Sequence, residues 1–163
     1  MNKFGNILKQ ADIFDQFTQS QIDLVAVICK ERSCASGEII VQEGSSSDDL
    51  YIIADGEVDV QVNPGLVSKD PSLNQELATI ATLRRGQSFG EIALVDQGLR
   101  SATVRAGENG ARVIKIERDH LIQLCEQYPQ LGFRLMYNLA ADLALKIRAA
   151  GIEIRGGLLA DNS

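Results

Sequence analysis

The sequence predicts a mainly β domain, either an antiparallel sandwich or a jelly-roll barrel, with helices at both ends. Short apolar or alternating runs follow one another from about residue 32 to 117, glycines separate them, and no long helical pattern intervenes. The 163 residues suffice for one domain with a real core that needs neither disulfides nor metals. We assign residues 1–150 to this domain and 151–163 to a flexible tail.

Near the N-terminus, the segment SQIDLVAVICKER predicts a helix with Ser20 as its N-cap. Its apolar side chains fall on one stripe, which comprises Ile22, Val25, Ile28 and Cys29. We therefore expect this helix to pack on a larger apolar surface.

We predict seven or eight short strands between Arg32 and Glu117, including the runs EIIVQ, LYIIA, EVDVQV, LATIATL, SATVRA and ARVIKIE. In EVDVQV the valines alternate with polar residues, which is typical of a strand with one solvated face. Glycines mark turns between the runs, at Gly37, Gly44, Gly56, Gly86 and Gly110. The segment NPGLVSKDPSLNQ is the longest irregular connection and predicts a surface loop.

Helical patterning returns at Asp119, which caps a short predicted helix over DHLIQLCEQY. Pro129 suits the first turn of a longer helix that runs to about Ala150. Apolar residues recur every four positions along this second helix, at Leu135, Leu139, Leu143 and Ile147. Such a wide stripe indicates either a homodimer interface or a helix whose two faces are both covered within the monomer.

The composition and net charge of the chain limit the kinds of partner that it can bind. The formal net charge of −6 opposes association with nucleic acid backbones and anionic membranes, so a bound anion must be held locally. The three cysteines have no metal-like spacing and predict reduced thiols in the cytoplasm. We find neither a signal peptide nor a membrane span.

The segment FGEIALVDQGLRSATVRA, residues 89–106, carries the chemistry. A helical turn that starts near Gly90 would offer unpaired backbone N–H groups to an anion, and Arg100 would add a forked guanidinium. Glu91 would repel that anion unless it faces another part of the ligand, for which a sugar hydroxyl is the natural partner. The segment therefore predicts a site for a small anion that carries a ribose, although an internal salt bridge between Glu91 and Arg100 is the alternative.

This segment resembles the phosphate-binding cassette of the cyclic nucleotide-binding domain family. The resemblance covers roughly residues 10–148, including the EG, LYII and GEV patterns upstream. It implies an eight-stranded antiparallel jelly-roll β-barrel, or double-stranded β-helix, at about residues 32–117. An N-terminal helix and two C-terminal helices, at about 119–150, would flank this barrel.

The resemblance also implies the ligand contacts. Glu91 would accept from the ribose 2′-hydroxyl, helped by the backbone at Gly90, and Arg100 would pair with the cyclic phosphate. The other contacts would come from the backbone N–H groups of Ala93 and Ser101, from the Ser101 hydroxyl, and from the shapes of Ile92 and Ala102. The ligand would be cAMP or cGMP, with cAMP slightly favoured, and no other cofactor is expected. A residue near Lys146 or Ile147 would cap the base.

Two departures from the family pattern matter. Leu99 stands where many members have proline, which predicts a less rigid loop before ligand arrives. Many bacterial members continue into a helix-turn-helix domain, whereas only a short tail follows the long helix here, so we expect no direct nucleic acid binding. The partner would instead be a downstream effector protein that the sequence does not identify.

Three function classes follow. The first is a regulatory sensor that couples cyclic nucleotide binding to movement of its C-terminal helices. The second is a ligand-free structural or interaction protein that acts through its apolar last helix. The third, a metal-dependent enzyme on the same architecture, lacks its ligands, because His120 is the only histidine. We therefore predict neither catalytic residues nor a metal site, and we interpret the run SSSDD at 45–49 as a solvated hairpin loop.

Overall fold

The computed structural model describes residues 3–63 and 77–161. The helices are α1 (Gly5–Gln10), a 3₁₀ helix (Asp12–Phe14), α2 (Gln19–Val27), α3 (Glu91–Asp96), α4 (Arg118–Gln127) and α5 (Pro129–Asp161). The strands are β1 (Cys29–Cys34), β2 (Ile39–Val41), β3 (Leu50–Val62), β4 (Ala78–Arg84), β5 (Ser88–Phe89) and β6 (Thr103–Ile116). Most of the predicted loop NPGLVSKDPSLNQ lies outside the described residues.

All the strand pairs are antiparallel, in the order β1-β6-β3-β4, with β2 on β6 and β5 on β3. Each of the two long strands, β3 and β6, spans two of the predicted runs. Both strands bend between the two runs, where their mutual register shifts. Gly56 and Gly110 lie at these bends with positive φ angles of 78° and 74°, which glycine adopts without strain. The predicted mainly β antiparallel fold with flanking helices is confirmed. The described residues form six strands, two of them bent, where eight were expected.

Alternate residues of β3 face two different cores. Leu50, Ile52 and Ala54 lie in the core that the helices form against the roll, together with Leu131 and Leu135 of α5. The intervening side chains enter the interior of the roll instead, with Val58, Phe89, Val104 and Val113. Both faces of this strand are buried from Leu50 to Ala54, which explains why LYIIA is a continuous apolar run.

The predicted N-terminal helix was misplaced at both ends. Its N-cap is Thr18 rather than Ser20, because the Thr18 hydroxyl accepts from the backbone N–H of Gln21 and the Gln21 side chain accepts from that of Thr18. The helix ends at Val27, and Cys29 already begins β1. The segment CKERSC pairs with β6 along its whole length, so tertiary pairing overrides its local helical preference.

The C-terminal helices also differ in their limits. The N-cap of α4 is Glu117 rather than Asp119. Pro129 begins α5 as expected, but the helix continues to Asp161 through the range predicted as a tail. No proline interrupts that range, and each glycine in a helix costs only about 1 kcal/mol. Within the residues that the structure describes, no helix is long and apolar enough to cross a membrane.

Candidate ligand-binding site

A cavity of about 330 Å³ opens beside α3 and the loop that follows it. Its volume lies within the range of small-molecule sites. All seven residues that the sequence singled out line this cavity: Gly90, Glu91, Ile92, Ala93, Arg100, Ser101 and Ala102. Most of its remaining wall is apolar and comprises Val41, Val60, Ile80, Leu83, Phe89, Leu99 and Val104. The site therefore combines an apolar wall with an acid and a base.

Arg100 is a buried cation without a carboxylate partner among the described residues. Its side chain donates to the Ser47 hydroxyl from Nε (3.1 Å), to the Gly90 carbonyl from Nη1 (3.3 Å) and to the Asp49 carbonyl from Nη2 (2.7 Å). Only 5% of the residue is exposed. A desolvated charge whose acceptors are all neutral is well placed to attract an anion.

The loop between β2 and β3 holds Arg100 in this position. The Gly44 N–H donates to the Arg100 carbonyl, the Arg100 N–H donates to the Ser45 carbonyl, and both distances are 2.8 Å. Sequence reasoning treated SSSDD as a solvated loop and missed this role. The Asp49 contact uses a backbone carbonyl, about fifty positions from Arg100 in the sequence, so no pattern of residue types could reveal it.

Gly90 permits the close approach of these groups. Its φ of 89° is left-handed. A Cβ atom there would lie 2.6 Å from the Asp49 carbonyl oxygen and 2.8 Å from Nη1 of Arg100, closer than real Cβ contacts allow. The position therefore requires glycine for both its conformation and its space.

Glu91, the first residue of α3, is also only 5% exposed. Its Oε1 accepts from Nζ of Lys146 on α5 at 2.6 Å. Its Oε2 is buried and has no hydrogen-bond partner. Glu91 therefore does not clip the loop by pairing with Arg100. It pairs with a different helix and keeps one acceptor unused.

Lys146 bridges two carboxylates, since Nζ also lies 2.8 Å from Oδ2 of Asp142 on the same helix. Burial opposes the lysine charge, but the hydrogen bonds with Asp142 and Glu91 outweigh it, so the pKa of Lys146 is raised above its ordinary value. Lys146 lines the cavity, near where the sequence placed a base-capping residue.

Two larger clefts, of about 490 and 430 Å³, lie elsewhere. The first is lined by charged residues, of which Arg84 and Glu57 already form a salt bridge at 3.1 Å. The second is bordered by Phe133 and Arg134, and the Arg134 guanidinium lies over the Phe133 ring. Neither cleft includes a buried charge that lacks an oppositely charged partner, which distinguishes both from the cavity at Arg100.

The other reactive residue types lie apart from the cavity. His120 is half-exposed, with Nδ1 3.3 Å from Glu117. The cysteines are free, and burial raises the pKa of the Cys29 thiol to about 12. Among the described residues, no cluster of histidine, cysteine, aspartate and glutamate could hold a metal ion.

Comparison with known proteins gives three concordant results. Residues 31–128 match the family model of the cyclic nucleotide-binding domain. The cyclic AMP receptor protein of Thermus thermophilus is 28% identical over 147 residues, which is 90% of this chain and 62% of that protein. A cGMP-dependent protein kinase of Plasmodium berghei is 32% identical over 107 residues, which is 66% of this chain and 11% of the kinase.

Solved structures that resemble this chain agree with the family match. The catabolite activator protein of Thermus thermophilus aligns with a TM-score of 0.74 and 27% identity over 89% of this chain and 62% of that one. A cyclic nucleotide-binding domain from Methylobacillus flagellatus aligns with a TM-score of 0.75 and 25% identity over 91% of this chain and 79% of that one. The chain therefore spans less than two thirds of the length of the Thermus and Plasmodium relatives.

Proposed function

The chain belongs to the cyclic nucleotide-binding domain family, and from this premise we propose that it is a regulatory sensor of cAMP or cGMP. Binding is coupled to movement of α4 and α5, and the module regulates an effector rather than catalysing a reaction. The buried and uncompensated guanidinium of Arg100 carries this proposal, because it provides a fixed cation inside a cavity whose wall is mostly apolar.

The proposed pose follows the polarity of the cavity. The cyclic phosphate binds Arg100, together with the backbone N–H groups of Ala93 and Ser101 and the Ser101 hydroxyl. The ribose 2′-hydroxyl donates to Glu91, whose Oε2 has no partner. The base lies against the apolar wall, where Ile92 and Ala102 contribute shape.

The choice between cAMP and cGMP depends on few polar groups. Relatives include both a cyclic AMP receptor protein and cGMP-dependent protein kinases. Apart from Glu91 and Arg100, the polar side chains that line the cavity are those of Ser88, Ser101 and Lys146. We propose cAMP as the slightly preferred ligand, with discrimination that is weak because an apolar wall reads base edges poorly.

Coupling to the helices runs through α3. Leu94 is fully buried in the core shared with the helices, and its carbonyl accepts from Nε of Arg118 at the start of α4 (2.8 Å). Lys146 adds a contact from α5 to Glu91. A shift of α3 around the phosphate must therefore displace α4 and α5. Arg118 of α4 is held by Leu94, and Lys146 of α5 is held by Glu91.

We further propose that α5 pairs with a second copy of the chain in the cytoplasm. The predicted stripe needs revision, since Leu135 and Leu139 are buried in the protein's own core. The exposed apolar line instead comprises Phe133, Tyr137, Ala140, Ala144 and Ile147. Its spacing of four and three residues is that of a two-stranded helical seam.

Calorimetry with cAMP, cGMP and 5′-AMP tests the function. We expect both cyclic nucleotides to bind, cAMP somewhat more tightly, and 5′-AMP to bind much more weakly, because its phosphate is not tied to the ribose and loses conformational freedom on binding. Both cyclic ligands should also raise the melting temperature by mass action. Absence of binding by either would instead favour a structural protein that acts through the exposed line on α5.

A further inference from the structure

The two carboxylate oxygens of Glu91, which lines the cavity, have different surroundings. Oε1 accepts from Nζ of Lys146 at 2.6 Å, which is the length of a short charge-assisted hydrogen bond. Oε2 is buried and has no hydrogen-bond partner among the described residues. One oxygen is therefore bound to the last helix, and the other is left for a further donor.

The ion pair at Oε1 is what allows a charged acceptor to lie in this cavity. A buried carboxylate without any donor is strongly destabilised, and such a group neutralises or turns toward water. Lys146 supplies a counter-ion to Glu91, although only 5% of Glu91 is exposed. The lysine side chain is itself 56% exposed, so its own charge keeps its contact with solvent.

The ammonium of Lys146 is held in place by a second carboxylate. Oδ2 of Asp142, one turn earlier on α5, lies 2.8 Å from Nζ. The hydrogen bonds with Asp142 and Glu91 outweigh the effect of burial and raise the pKa of Lys146, so the lysine is charged at neutral pH. Two consecutive ion pairs thus fix the orientation of Glu91 from α5.

We propose that Lys146 is a positioning residue that holds the second oxygen of Glu91 toward the sugar and so makes the site selective for ribose over 2′-deoxyribose. The inference rests on the proposed function, since it requires a sugar at Glu91. Both donors are accepted together, Lys146 at Oε1 and the 2′-hydroxyl at Oε2, so the ion pair persists when the ligand binds. Sugar selectivity then depends on a residue that lies 55 positions from Glu91 in the sequence.

The selectivity comes from preorganisation of the acceptor. A hydroxyl that reaches Oε2 forms a hydrogen bond to a charged oxygen without displacing a donor of the protein, and such a bond contributes most when the acceptor is fixed beforehand. Without Lys146, the carboxylate relaxes to a neutral or outward-turned state, which sugar binding must first reverse. The 2′-hydroxyl then adds little affinity, whereas the phosphate contact at Arg100 is unaffected.

The test measures the affinities for cAMP and 2′-deoxy-cAMP by calorimetry in the wild type and in Lys146→Met. The ratio of the two affinities isolates the contribution of the 2′-hydroxyl. The wild type should prefer cAMP by about 10- to 100-fold, and K146M by no more than about 3-fold. The loss should fall on cAMP alone, so K146M should bind 2′-deoxy-cAMP within about 2-fold of the wild type.

Two control variants separate positioning from a general structural effect. Lys146→Arg restores a cation and should recover most of the preference for cAMP. Arg148→Met removes one positive charge from an exposed position on the same helix, and it should keep the wild-type preference. Damage to the fold or to the shape of the cavity would instead weaken both ligands equally and leave the ratio unchanged.

Glu91→Ala distinguishes failure of this inference from failure of the proposed function. If E91A loses the preference for cAMP but K146M keeps it, the ion pair is incidental and the function stands. A larger preference in K146M would show that the lysine competes with the sugar, and it would also overturn the positioning role. If E91A keeps the wild-type preference, or the wild type binds neither ligand, the proposed function fails and the inference fails with it.

Discussion

Arg100 shows at the level of one residue how the fold prepares a charge for a partner. Its three acceptors are a hydroxyl and two carbonyl oxygens, which fix the guanidinium without neutralising it. A protein rarely buries a charge in this way unless a ligand completes the site.

Replacing Arg100 with alanine should therefore weaken cAMP binding by about 2–5 kcal/mol. Lysine should restore only part of the loss, because it provides a point charge without the planar fork that the three acceptors fit. Isothermal titration calorimetry measures both effects, with the melting temperature of each unliganded variant as the control for folding. Equal affinity in R100A and the wild type would refute the phosphate assignment.

Gly90 allows a second prediction at this scale. G90A should lower the free energy of unfolding by about 1–3 kcal/mol and abolish tight cAMP binding, because the new Cβ meets Asp49 and Arg100 in a left-handed conformation. G5A is the matched control, since a Cβ on Gly5 has nothing within 4 Å. Urea denaturation of both variants tests this, and similar stabilities would show that the cassette tolerates a side chain there.

Sequence reasoning at the residue scale singled out side chains by their types, and their role in binding stays a prediction. Glu91 and Arg100 stand in a recognisable order, and both line the cavity. It failed for Ser47 and Asp49, whose contributions are one hydroxyl and one backbone carbonyl. Backbone atoms are the same in every residue, so only the folded chain shows which of them converge.

At the scale of elements, the boundary between α2 and β1 shows the limit of local patterns. The apolar stripe correctly predicted a helix, and Ile22 and Val25 are buried in the helical core. The predicted helix extended too far, because Cys29 is buried and so fits the apolar stripe of a helix. In the structure, however, Cys29 is the first residue of a strand. Only pairing with β6 distinguishes the two.

The N-cap of α2 gives a prediction that distinguishes a helix start at Thr18 from one at Ser20. T18A should lower the free energy of unfolding by about 0.5–2 kcal/mol, because it removes the capping box. S20A should change it by less than about 0.5 kcal/mol, because Ser20 is an exposed residue inside the helix. Thermal or urea unfolding of both variants decides between them. A larger effect for S20A would contradict the position of this helix start.

At the scale of the whole molecule, the wide apolar stripe of α5 is divided into a buried side and an exposed side. One side is buried in the protein's own core, through Leu131, Leu135 and Leu139. The other side exposes Phe133, Tyr137 and Ile147. The sequence predicted the width but could not assign the sides, since that depends on where the roll meets the helix.

The exposed side leads to a prediction about assembly. The wild type should sediment as a dimer, and A140E should sediment as a monomer with an unchanged melting temperature of the roll, because a buried glutamate would face its copy across the seam. A141E is the control, since Ala141 is exposed and lies one position off the line. Analytical ultracentrifugation distinguishes these states, and a dimeric A140E would exclude this face as the interface.

Because α5 is long, a small tilt at Lys146 would move the far end of the helix over a larger distance. The helix runs on to Asp161, and at 1.5 Å per residue the part after Lys146 is about 22 Å long. Lys146 lies at the base of this lever arm, so a tilt of about 10° there would carry the far tip through about 4 Å. A small tilt of α5 at this contact would thus become a displacement of the helix end large enough for another protein to detect.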